Sequence, residues 1–127
     1  MALLTDEMIE AGESFTEALD SSGLDVKASL WLFEHDVWTL VLGISEVNSQ
    51  GPRKIYKKVR SLLLRDQQHY AQLDPRNVSV RSPDQGLVAL LRRILKTSPP
   101  RAMKRLRFTD NYVNDFHIED ALINRLV

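Results

Sequence analysis

The 127-residue chain reads as a single α+β domain spanning 1–127, a sheet-and-helix sandwich in the order α-β-β-α-β-α-β-(β). Three observations predict this class. Several stretches repeat apolar residues at helical spacing, the stretch between Val26 and Ile44 alternates with a period of two, and Leu, Val, Ile and Phe number 39 in all. That is enough apolar surface for one core without a covalent staple.

Thr5 suits an N-cap, Asp6 and Glu7 suit the positive end of a helix dipole, and Met8, Phe15 and Leu19 recur at helical spacing. The first helix is expected to end at Gly23. From Val26 to Ile44 the alternation breaks at Glu34-His35-Asp36, which reads as a three-residue loop of an antiparallel hairpin. Leu32 then faces Trp38, Leu30 faces Leu40, Ala28 faces Leu42 and Val26 faces Ile44, giving one wholly apolar face. The opposite face carries Trp31, Phe33, Val37 and Val41 among Lys27, Ser29 and Thr39. Either a helix covers that second face, or it is an apolar interface anchored by Trp31 and Phe33.

Pro52 fits the first position of a helix running to about Gln68, with Ile55, Val59, Leu62 and Leu63 as its buried stripe and a basic face opposite. After a turn at 73–77, Val78-Ser79-Val80 reads as a short strand. Ser82, Pro83 and Asp84 read as the start of a helix reaching about Lys96, apolar at Leu87, Leu90, Leu91 and Ile94, before Thr97-Ser98-Pro99-Pro100 stops it. Lys104 to Thr109 alternates as a strand. The last twenty residues fit either a strand or a short helix, with the strand favoured.

Zero cysteines exclude disulfides, thiolate nucleophiles and cysteine-ligated metal. No run approaches about 18 apolar residues and the first residues lack a leader pattern, so the chain is expected to be cytoplasmic with no membrane partner. Signatures of P-loop, dinucleotide-binding, GxSxG hydrolase, HExxH and EF-hand proteins are missing, and no cofactor is implied. His35 and His69 sit without a serine or carboxylate at a spacing that suggests a triad.

The zero net charge conceals a division. Residues 1–50 hold ten acids against one base, a balance of −9, and residues 51–127 hold seven acids against sixteen bases, a balance of +9. Within 51–107 fifteen bases oppose Asp66, Asp74 and Asp84. Such a division creates strong local potential in a neutral chain and suggests a charged partner, although every amphipathic element also needs a charged outer face for solubility.

The expected function is a non-catalytic binding or adaptor domain acting through charged surfaces and the apolar hairpin face at Trp31 and Phe33. Its basic surface would be Arg53, Lys54, Lys57, Lys58, Arg92, Arg93, Arg105 and Arg107, and its partner another protein or a second copy of the chain, as a dimer. Two alternatives from other classes stay open. One is a sequence-tolerant nucleic-acid-binding module using the basic segment 53–107. The other is a small metal-dependent hydrolase using carboxylates within 110–120, with Asp115, His117 and Glu119 as candidate metal ligands, against which Asp and Asn are ordinary turn residues.

Overall fold

Thr5 caps the first helix, its Oγ1 accepting a hydrogen bond from the Met8 amide at 3.1 Å, and α1 runs Asp6–Ser21 in the computed structural model, which describes residues 3–95 and 104–127. The helix ends where Gly23 takes a left-handed φ of 94°. Strands β1 (Val26–Glu34) and β2 (Val37–Ile44) follow, then a four-residue helix α2 (Val47–Gln50), α3 (Pro52–Arg65), β3 (Val78–Arg81), α4 (Gly86–Ile94), β4 (Leu106–Val113) and β5 (Phe116–Leu126). These form an α+β fold around one five-stranded mixed sheet of order β3-β2-β1-β5-β4, in which only β2 and β3 run parallel.

The hairpin differs from the expected register by one residue. Its loop is His35 and Asp36 alone, both left-handed at φ 54° and 64°, and Glu34 pairs directly with Val37. Two consecutive left-handed residues twist with the flanking strands, so the two-residue turn prevails over the three-residue loop. The shift moves one strand's side chains to the other face. Trp31 therefore stands opposite Leu40, Leu30 opposite Val41 and Phe33 opposite Trp38. Val26 still meets Ile44, because an irregularity at Lys27 restores the offset.

Both faces of the sheet are covered. Trp31, Leu40, Leu42, Ile44 and Leu122 bury against Phe15 and Leu19 of α1 and Ile55, Val59 and Leu63 of α3. Ala28, Leu30, Leu32, Val41, Ile118 and Ile123 bury against Val88 and Leu91 of α4. The expected stripe of α3 is the buried one, with Leu62 half-buried beside it.

Helix α4 starts at Gly86 and not at Ser82, and its buried contacts are Val88 and Leu91, with Ile94 60 % exposed. The Ser82 hydroxyl is engaged with Asn48 and with the Asp84 amide in a turn, and Gly86 supplies a left-handed φ of 60°. Lys96 and Thr97–Pro100 lie outside the described residues. The C-terminal segment is an eleven-residue strand. Its pairing with β1 slips at Ser29/Leu30, next to the buried Asn124, whose Nδ2 approaches the Ser29 hydroxyl at 3.4 Å.

Candidate anion-binding surface

Helix α3 has the sequence PRKIYKKVRSLLLR, with six bases and no acid. At about 100° per residue its bases form two ridges. Arg53, Lys57 and Arg60 make one, and Lys54, Lys58 and Arg65 the other. All six are exposed. Burial of Ile55, Val59 and Leu63 against the sheet fixes this outward aim, and Gly51, at φ 86°, lets the chain turn sharply from α2 into Pro52.

Two features set these bases apart. Among the described residues none of the six has an ion-pair partner, and their single side-chain hydrogen bond runs from Lys58 Nζ to Gln50 Oε1 at 3.1 Å. Moreover, Arg53 and Lys54 occupy the first turn, where the helix dipole is positive and disfavours cations by about 0.3–1 kcal/mol each at exposed sites. A local preference is broken with no intramolecular compensation in view.

The remaining expected bases are elsewhere and mostly neutralised. Arg92 and Arg93 lie on α4, across the sheet from α3. Arg92 donates to the Val127 and Pro83 carbonyls at 2.7 Å each and to Asp84 at 3.0 Å, while Arg93 is exposed. Arg105 donates to both carboxylate oxygens of Glu13 in α1, at 3.1 and 2.9 Å, and Glu13 raises its pKa. Arg107 forms a bidentate pair with Asp120, 2.7 Å at each oxygen, and lies 5.4 Å over the Trp38 ring. Its hydrogen bonds hold the Asp120 carboxyl below the ordinary range, against the opposing effect of burial. The eight bases do not form one surface; four of them, Arg53, Lys54, Lys57 and Lys58, share α3.

The apolar interface expected at Trp31 and Phe33 is corrected. Trp31 is 2 % exposed beneath Gly12 of α1, and Phe33 is half-buried against Trp38, with ring centroids 5.2 Å apart. Among the described residues the exposed large apolar side chains are instead Tyr112 and Phe116 on the β4–β5 hairpin, with Leu3, Val37, Ile94 and Leu106. Period-two reading did not find Tyr112 and Phe116, because a strand outside a covered face shows the same alternation.

Asp115 sits in the β4–β5 turn, and His117 Nε2 lies 2.7 Å from Asp110 Oδ1 with its ring stacked on Tyr112. Among the described residues no group of three or more His, Asp or Glu is placed to hold a metal, so Asp115, His117 and Glu119 do not assemble into a ligand set. One hydroxyl–imidazole contact was not foreseen: Ser14 Oγ lies 3.1 Å from His69 Nε2. Among the described residues no carboxylate holds the other ring nitrogen, and the contact ties α1 to the segment after α3.

No family model, no curated protein and no solved structure matches this chain.

A groove of about 650 Å³ runs beside α3, between Lys57, Lys58, Ser61 and Arg65 on one wall and Ser22 and Gln50 on the other. Its acid, Glu46, accepts from the Asp25 amide at 3.0 Å. The carbonyls at the end of α1 are capped by the amides of Ser22, Gly23 and Leu24. Three cationic heads, two serines and an amide therefore face, with the one carboxylate of Glu46 and the side chains of Leu24 and Leu62, a cavity of the size that holds small ligands or one strand of a larger one. Such a set has the chemistry to hold an anion; among these groups there is no nucleophile paired with a base.

Proposed function

We propose that this chain is a non-catalytic binding domain that docks an anionic partner on the basic face of α3. The observation that carries the reading is the state of the six α3 bases: exposed, without an ion pair among the described residues, and placed in part at the disfavoured end of their own helix dipole. Arg105 and Arg107 spend their charge inside the chain, on Glu13 and Asp120. Uncompensated like charges on one helix repel one another at spacings of three and four residues, and an anionic partner removes that repulsion.

The test is salt-dependent retention on a sulfated polysaccharide resin. The wild-type chain is expected to bind at 50 mM salt and to elute as salt rises, because exposed charges are screened over about 10 Å at 0.1 M. The triple variant Lys54→Glu, Lys57→Glu, Lys58→Glu is expected to flow through with an unchanged far-UV circular dichroism spectrum. Equal retention of the two proteins would remove α3 as the docking surface.

A further inference from the structure

Resting on that reading, we infer that the groove beside α3 seats the phosphodiester backbone of a nucleic acid without reading its sequence. The argument begins with length. Lys57, Lys58, Ser61 and Arg65 line the groove, and the helix rises eight residues from Lys57 to Arg65, about 1.5 Å each, which spreads the charge over about 12 Å. A single phosphate reaches one or two of these groups. A chain of regularly spaced anions meets the whole wall, and a nucleic-acid strand carries one charge per about 3.4 Å of rise.

The chemistry of the walls points the same way. Ser61 and Gln50 line the groove beside the lysines and Arg65, and neutral donors of this kind commonly join Lys and Arg at phosphate oxygens, whereas the Ser22 hydroxyl donates to the Leu19 carbonyl at 2.7 Å. Gly23 and Gly51 have open space where a Cβ would stand, so the backbone at that end can be closely approached. Among the described residues no aromatic side chain lines the groove. The Tyr56 hydroxyl of α3 donates to the Pro75 carbonyl at 2.7 Å and is engaged within the fold. Without a stacking platform, base recognition of the single-strand type is missing, and what remains is contact with the backbone. An acidic protein surface is the rival partner; it presents carboxylates at irregular spacing, and a walled groove fits a strand better than a flat face.

The experiment is fluorescence anisotropy with labelled 30-nucleotide single strands and duplexes of two unrelated sequences, titrated with the full chain from 50 to 300 mM salt. The wild type is expected to bind both sequences within about threefold, with log K falling against log salt by about 0.9 per duplex phosphate contact or 0.7 per single-strand contact. Two variants separate the groove from the helix as a whole. Lys58→Gln with Arg65→Gln is expected to weaken binding at least tenfold at 50 mM salt and to reduce the slope by about two contacts' worth. Arg53→Gln with Arg60→Gln, on the other ridge, is expected to change affinity less than threefold, and Ser61→Asp, which keeps every base, to abolish binding.

Binding that survives the groove variant but not the Arg53 and Arg60 variant overturns the groove and leaves α3 as the docking surface. Equal losses in both overturn a defined seat in favour of a diffuse field. No nucleic-acid binding at 50 mM salt by a chain that the sulfated resin retains overturns the partner class alone. Failure on the resin as well overturns the functional reading beneath it.

Discussion

Trp31 stands opposite Leu40 across the β1–β2 hairpin, and Gly12 of α1 lies directly over both: a Cβ at Gly12 would come within 2.9 Å of Trp31 Nε1 and 3.5 Å of Leu40 Cδ1. Helix α1 therefore meets β1 and β2 at one close approach. Leu40→Ala is expected to lower unfolding free energy by about 2–5 kcal/mol and Trp31→Ala by about 3–5 kcal/mol. Gly12→Ala should cost about 1–3 kcal/mol by overpacking. Urea denaturation measures all three. A loss below about 0.5 kcal/mol for Leu40→Ala would mean that the hairpin is not central to the core.

The two-residue turn makes a prediction of its own. His35 and Asp36 both hold left-handed φ, a conformation that disfavours ordinary residues by about 1–2 kcal/mol. Asp36→Gly is expected to gain about 0.5 kcal/mol, net of glycine's greater freedom in the unfolded chain. Asp36→Val is expected to lose about 1–2 kcal/mol. Equal melting temperatures for these two variants would contradict the turn.

What could be read from the residues, and what could not, divides by range. Helical spacing found α1 and α3 because each buries a stripe, and Thr5, Pro52 and Gly23 are strong local boundary marks. Glu34-His35-Asp36 contains no Gly or Asn to show which two residues turn left-handed, so the register slipped by one and with it the face of Trp31. Helix α2 has only four residues, too few for a period. The basic composition of α3 was legible. Its lack of partners was not, since Arg105 meets Glu13 from 92 residues away and Arg92 meets the chain's end at Val127.

The pair between Arg107 and Asp120 predicts a direction with pH. Hydrogen bonds from Arg107 depress the Asp120 pKa below its ordinary 3.8, so the pair's contribution is complete above that value and is lost as pH falls through the lower folded value. Asp120→Asn is expected to be less stable than the wild type at pH 7 and to approach it as pH falls below the ordinary carboxylate value of 3.8. Denaturant midpoints at pH 7, 4 and 2.5 test this. A gap between the two proteins that stays constant down to pH 2.5 would contradict it.

Helix α3 sets stability against binding. Arg53 and Lys54 oppose the helix dipole, so replacing either by Glu is expected to stabilise the chain by about 0.5–1 kcal/mol at low salt while weakening its hold on anions. Thermal melts and resin retention of the same two variants decide the matter. A variant that loses stability together with binding would mean that these bases serve the fold.

The most direct measurement is a residue-resolved one: ¹⁵N–¹H correlation spectra of the chain titrated with a short sulfated oligosaccharide at 50 mM salt. The amides of Arg53–Arg65, with those of Ser22, Gly23 and Gln50 across the groove, are expected to shift progressively and to return when salt is raised to 0.5 M. Amides of α4 and of the β4–β5 hairpin are expected to stay in place. Shifts concentrated on α4 or that hairpin, or a spectrum that does not respond at all, would contradict α3 as the surface on which this protein acts.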